Sequence, residues 1–152
     1  MAATPRENAA LVRRFLTDVV AGGDTDAVDG FLAGDVTDDN LVFGRTSGQG
    51  PVTALGWRVL AAADIDVVIE DTIATDDQVA VRATVTGTHR ESLMDLAPTG
   101  QSFEIAYAWF CHIENDQITA IHSLPDGLGL MRQLGAIPNP PANRPLTDPT
   151  DS

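Results

Sequence analysis

The stretch IHSLPDGLG, from Ile121 to Gly129, sets one carboxylate, Asp126, between an apolar alternating segment and an apolar helical one. An aspartate at such a junction can cap the helix that follows, because its side chain accepts N–H groups of the first turn. It can equally be an acid/base group. Desolvation in an apolar cavity raises a carboxyl pKa and makes the carboxylate a better base. The two roles can coexist. His122, four residues earlier, belongs to the residue type that titrates near neutrality, and it could orient a substrate oxygen or share a proton with Asp126. A hydrogen-bonded histidine at a pocket rim is its plainer reading.

Other candidates fall at alternating positions. His89 ends the run VAVRATVTGTH and shares parity with Val79, Val81, Ala83 and Val85, so it is either a structural strand-end histidine or a substrate contact. Tyr107 and Trp109 lie on the apolar parity of FEIAYAWFCHI. Aromatic side chains there either pack the core or stack on a flat polycyclic substrate. Trp57, in a helical stretch, either lines the same pocket or covers the core. Asp39, in TDDN, reads as a solvated acid, and His112 and Arg82 fall on the opposite parity. Cys111, the single cysteine, has no paired base and reads as an inert core thiol.

These residues require a scaffold of helices followed by strands. Pro5 to Ala21 predicts a first helix, with Leu11, Val12, Phe15, Leu16 and Val19 on one stripe, Thr4 as cap and Gly22-Gly23 as stop. A short second helix is expected from about Thr25 to Leu32, and a third from about Pro51 to Ala63. Asp35 to Phe43 is short and mixed. The period then changes to two: Val67, Ile69, Asp71 and Ile73 share one parity, as do Phe103 to Ile113 and Ile118, Ala120, His122 and Leu124. Helices first and long hairpin-spaced strands afterwards predict an α+β domain. A short C-terminal helix follows Asp126. The domain is expected to occupy residues 1–138, with 139–152 as a Pro-rich tail that cannot continue a helix.

Composition narrows the partners. Twenty-two acidic residues against nine basic ones, every one of them arginine, give a net charge of −13. Such a surface repels phosphate backbones, so nucleic acid is not an expected partner. The acidity fits either a high-GC genome or adaptation to high salt. No run approaches the roughly 18 apolar residues of a membrane span, and the N-terminus lacks the order of a signal peptide. A cytoplasmic protein with no membrane partner is expected. Neither metal-ligand spacing nor a phosphate-binding glycine loop occurs, so no metal or cofactor is expected.

Four segments together resemble a known family: GDTDAVDGFLAGDV (Gly23 to Val36), VAVRATVTGTHR (Val79 to Arg90), APTGQSF (Ala97 to Phe103) and DGLGLMRQLG (Asp126 to Gly135). In this order and spacing they resemble the SnoaL-like polyketide cyclases of the nuclear-transport-factor-2-like superfamily, over Glu7 to Pro138. The resemblance implies a cone, a curved antiparallel sheet wrapped around three N-terminal helices with a pocket inside, and a homodimer. It implies cofactor-independent acid/base catalysis, aldol-type ring closure or isomerisation, on an apolar or polycyclic carbonyl-bearing molecule. Asp126 matches the family's acid/base aspartate. His122 stands where relatives commonly carry tryptophan, Ala120 where many carry an acid, and Asp39 where many carry histidine. Epoxide hydrolysis on the same fold would call for an inward arginine between two aspartates, which the sequence does not offer. A non-catalytic ligand-binding or dimeric scaffold module is the other function class open to the fold.

Overall fold

The computed structural model describes residues 3–42, 44–52, 62–93 and 95–138. Helix α1 (Pro5–Phe15) begins with a capping box: Thr4 Oγ1 accepts the Glu7 N–H at 3.2 Å, and the Glu7 carboxylate accepts the Thr4 N–H at 3.3 Å. The helix runs on as a π-helical segment, Leu16–Ala21, which closes with Gly22 N–H donating to Thr17 O at 2.9 Å. A Cβ at Gly22 would sit 2.6 Å from the Asp18 carbonyl oxygen, and Gly23 takes a positive φ of 70°, so the paired glycines end the helix sterically. The helical run thus ends at Ala21, as its periodicity predicts.

The expected second helix is shorter than its apolar spacing suggests. A 3₁₀ segment covers Thr25–Gly30, and Leu32 already belongs to a strand. That strand, β1 (Leu32–Asn40), occupies the mixed stretch that carried no clear period. Strand β2 (Gly44–Ser47) follows. Gln49 to Val52 begin a helical turn, residues 53–61 lie outside the described residues, and Ala62 and Ala63 are strand rather than helix.

Strands β3 (Ala62–Ala74), β4 (Gln78–His89), β5 (Ser102–Glu114) and β6 (Gln117–Pro125) complete a six-stranded sheet ordered β2-β1-β6-β5-β4-β3. It is curved and open, not closed into a barrel. All neighbours pair antiparallel except β1 and β6, which run parallel. Helix α2 (Gly127–Gln133) then packs back on β5, where the Gln133 amide exchanges two 2.8 Å hydrogen bonds with the Glu104 backbone. No described helix is long and apolar enough to cross a membrane.

The core lies between α1 with its π-helical extension and the inner face of the sheet. Val12, Phe15, Leu16 and Val19 meet Val79, Val81, Ala83 and Val85 of β4 and the odd-numbered side chains of β5. Phe103, Ile105, Tyr107, Trp109, Cys111 and Ile113 are all buried, so the predicted inward parity of β5 holds along its whole length. Each such aliphatic or aromatic side chain removed from water contributes about 1.5–3 kcal/mol, which fixes the register of the longest strands.

Two bulges reverse the parity expected elsewhere. The β3–β4 register slips between Ile69 and Asp71, leaving Glu70 unpaired, so Asp71 and Ile73 turn outward while Val67 and Ile69 stay inside. The β5–β6 register slips between His112 and Ile113, with Thr119 as the extra residue. Ile118 therefore faces inward, but Ile121, Ser123 and Pro125 replace Ala120, His122 and Leu124 on the inner face. A one-residue slip moves every following side chain across the sheet.

Candidate functional site

On the inner face, where β1 runs beside β6, the sheet carries polar groups in place of aliphatic ones. Asp38 and Asn40 of β1 are 5% and 4% exposed, and Ser123 of β6 is 2% exposed. The parallel register sets Asp38 against Ile121 and Asn40 against Ser123. Ser123 Oγ donates to Asp38 Oδ1 at 2.8 Å, and the Leu41 N–H donates to the Ser123 carbonyl at 2.9 Å. Asn40 Oδ1 accepts the Val42 N–H at 2.8 Å, which turns the chain sharply at the end of β1.

Burial pushes the Asp38 carboxyl up to about 6. The Ser123 hydrogen bond opposes that rise, the neighbouring Asp39 charge adds to it, and His122 pulls it back. The Tyr107 phenol is pushed above its ordinary range, by burial first and by the Asp38 charge second, with Asn40 and Ser123 close enough to moderate it by hydrogen bonding. Near neutral pH it is therefore protonated and can donate. Burial, assisted by Asp38, pushes the Cys111 thiol up to about 12, so it is an inert core thiol. Tyr107 and Trp109 stack on each other, centroids 4.1 Å apart and planes 14° from parallel.

Asp126 is exposed, on the chain leaving β6, and caps α2: its Oδ1 accepts the Gly129 N–H at 2.9 Å. Its own N–H donates to Ala106 O at 3.0 Å, which ties the cap to β5. A Cβ at Gly129 would collide with the Asp126 carboxylate, and one at Gly127 would come 2.9 Å from Val42 Cγ2. Glycine at both places lets the first turn close over the end of the sheet. Asp126 also lines an apolar pocket of about 480 Å³, walled by Leu41, Val42, Leu93, Pro125, Leu130 and Met131 among others. The pocket adjoins the polar cluster by chain connection: Leu41 follows Asn40, and Pro125 pairs with Tyr107.

His122 is not beside Asp126. The Thr119 bulge turns its side chain to the outer face, where it is 60% exposed and Nδ1 lies 3.7 Å from Asp39. Asp39 also faces Arg45 at 3.9 Å and is the solvated acid its sequence context suggests. His89 is fully buried on the inner parity of β4. Arg82 faces outward, hydrogen-bonded to Asp71 at 2.7 Å. Trp57 lies outside the described residues. Asp38 is the functional candidate that sequence reading missed. The signal available was the spacing of Val36, Asp38 and Asn40, a period of two hidden because two of its three inward residues are polar.

An open curved six-stranded sheet with helices against its inner face, and a buried carboxyl on that face, define a small α+β fold. Residues 10–134 match the family described as SnoaL-like polyketide cyclase, and the chain belongs to that family. Solved structures share the fold. One is a Jannaschia sp. CCS1 protein named for the SnoaL-like polyketide cyclases, at 18% identity and TM-score 0.80, covering 91% of this chain and 98% of that one. Another is TsrD from Streptomyces laurentii, at 22% identity and TM-score 0.77, covering 89% and 99%. An LEH-like epoxide hydrolase from M. tuberculosis aligns at 20% identity and TM-score 0.67, covering 87% and 92%. No curated protein sequence matches the chain.

Proposed function

We propose that the chain is a cofactor-independent acid/base enzyme that closes a ring by an aldol-type step, or moves a double bond, in an apolar carbonyl-bearing small molecule. The observation that carries this reading is the Asp38 carboxyl, buried on the inner face, hydrogen-bonded by Ser123 and raised to about 6. At neutral pH such a group is mostly ionised yet holds a proton firmly enough to return it, which suits both halves of the reaction. Asp38 removes a proton from the carbon next to a carbonyl, and the electron pair moves onto the carbonyl oxygen. The Tyr107 hydroxyl is a donor for that oxygen. The enolate carbon then attacks a second carbonyl, or is reprotonated one position along, and the proton held by Asp38 goes to the new alkoxide or carbon.

Asp126 is the alternative base under the same reading, since it is the acidic residue in the lining of the apolar pocket. Paired variants separate the two. Asp38→Asn keeps the Ser123 contact and should lower turnover of a carbonyl substrate by about 10²–10⁴-fold with ligand affinity nearly intact. Asp126→Asn keeps the cap and should stay within a few-fold of wild type. The reverse ranking would move the chemistry to Asp126. Wild-type turnover in both variants would move the chemistry to another group, whereas binding without turnover by the wild-type chain would favour a non-catalytic binding module, a reading supported by the stacking of Tyr107 on Trp109 in place of an open aromatic face. Epoxide opening by an Asp-Arg-Asp set is disfavoured because no arginine is buried among the described residues.

We also read the protein as a homodimer joined through the outer face of the sheet. Ile73, Ala80, Phe110 and His122 form one cross-strand row there, and Ile73 and Phe110 are 70% and 50% exposed.

A further inference from the structure

Ser123 reaches the inner face only because β6 slips at Thr119. An unbroken ladder would have turned His122 inward and left Ser123 in solvent. Pairing then sets its neighbours: Asn40 across the parallel ladder to β1, and Trp109 across the antiparallel ladder to β5. From that position the hydroxyl meets Asp38 Oδ1 at 2.8 Å. An ionised carboxylate accepts and cannot donate, and a serine has one hydrogen to give. The phenol of Tyr107 is also close enough to share it, but a carboxylate is the stronger acceptor. The Ser123 hydrogen therefore goes to Oδ1. No described residue donates to Oδ2.

Packing does not call for this arrangement. Farther along the same face, β1 buries Leu32 and Val36, and β6 buries Ile118 and Ile121. Replacing one more aliphatic pair by a carboxylate and a hydroxyl costs desolvation that a single hydrogen bond returns only in part. What the pair supplies is asymmetry. Two oxygens that are equivalent in a free carboxylate become one that is held and one that is open.

We propose that Ser123 is a positioning residue: by giving its one hydroxyl hydrogen to Oδ1, it leaves Oδ2 as the atom of Asp38 that takes the substrate proton and gives it back. The inference rests on the acid/base reading above and assigns the step to an atom. The substrate C–H bond breaks, an O–H bond forms at Oδ2, and the electron pair goes to the substrate carbonyl oxygen. On return the Oδ2–H bond breaks. Ser123 keeps its own hydrogen throughout and touches no reacting atom.

The Asp38 carboxyl is followed by carbon-13 spectra of aspartate-labelled protein, its resonance identified by its loss in Asp38→Asn. Ser123→Ala should raise its titration midpoint by about one to two pH units, the equivalent of one hydrogen bond to a charged group. Ser123→Thr, which keeps the hydroxyl, should restore it. The charged and titratable neighbours Asp39, His122, Tyr107 and Cys111 are the same in all three proteins, so the difference reports Ser123. Exchange of the α-hydrogens of 2-tetralone, a flat apolar ketone, into deuterated water gives the second readout. Its rate should rise with pH through the Asp38 midpoint, and the rise should move with that midpoint in Ser123→Ala while KM changes less than twofold. The third readout addresses the atom itself. In Asp38→Asn, donation from Ser123 orients the amide with its nitrogen in the place of Oδ2, and 2-tetralone should shift that nitrogen-15 resonance. A midpoint unmoved by Ser123→Ala, or an amide nitrogen that ignores 2-tetralone, would overturn the assignment. An exchange rate that shows no such rise, or one that stays put while the carboxyl midpoint moves, would instead sink the reading of Asp38 as the base.

Discussion

Burying the Asp38 carboxyl beside the Ser123 hydroxyl makes its proton affinity part of the folding equilibrium. The group titrates at 3.8 when free and at about 6 when folded, so the native state binds the proton more tightly than the unfolded chain does. Stability from this site is full below pH 3.8 and is lost as pH rises through 6. Asp38→Asn, which is neutral throughout, should therefore be more stable than wild type at pH 8, by up to about 3 kcal/mol, with the advantage shrinking as pH falls to 4. Urea unfolding at the two pH values measures this, and a variant no more stable at pH 8 would falsify the buried-carboxylate assignment. Activity should show the opposite trend. If ionised Asp38 is the base, kcat/KM rises with pH through about 6, because the form that weakens the fold is the form that takes the proton.

At the scale of elements, the turn from β6 into α2 depends on one carboxylate and two missing side chains. Asp126→Ala removes the cap on Gly129 N–H and should cost about 1 kcal/mol. Gly129→Ala should also destabilise, since its Cβ meets the Asp126 carboxylate, but most of that cost should disappear in the Asp126→Ala background. A double-mutant cycle by thermal melting decides it, and simple additivity would mean that the carboxylate and Gly129 do not share one packing. The same turn shows what was legible in sequence. Asp126 was recognisable as a cap from its junction alone. Its expected partner, His122, was misplaced because parity counting assumes an unbroken ladder, and Thr119 breaks it. Glu70 does the same to Asp71 and Ile73 in β3. Neither bulge has a residue signature, because each is set by pairing with the neighbouring strand, 12 or 13 positions away at Glu70 and six or seven at Thr119.

For the whole molecule, the outer row containing Phe110 and Ile73 and the net charge of −13 lead to two measurements. Light scattering at micromolar concentration should give twice the 16.1 kDa chain mass, and Phe110→Glu should return it to one chain. A wild-type monomer removes the dimer. Self-repulsion among so many carboxylates should make Tm rise from low salt to physiological salt as the screening length falls from about 30 to 8 Å. A continued steep rise into molar potassium chloride would favour adaptation to high salt, and a plateau would favour base composition as the origin of the acidity.

Local chemistry in the sequence determined the first helix, with its Thr4–Glu7 box and double-glycine stop, and the long alternating strands. It also determined the inward aromatic face of β5 and the α+β class, since each depends on neighbours within a few residues. Tertiary structure alone decided which polar groups became buried. Asp38 and Asn40 look like a solvated TDDN loop until the parallel pairing of β1 with β6 carries them inside against Ser123. His122 looks inward until a bulge turns it out. His89 reads as a generic strand end until Thr99, ten residues away, donates its N–H to the ring. Periodicity reports what a segment would do alone, whereas burial of a charge is set by the strand beside it, and pairing across many residues is not written in either partner alone.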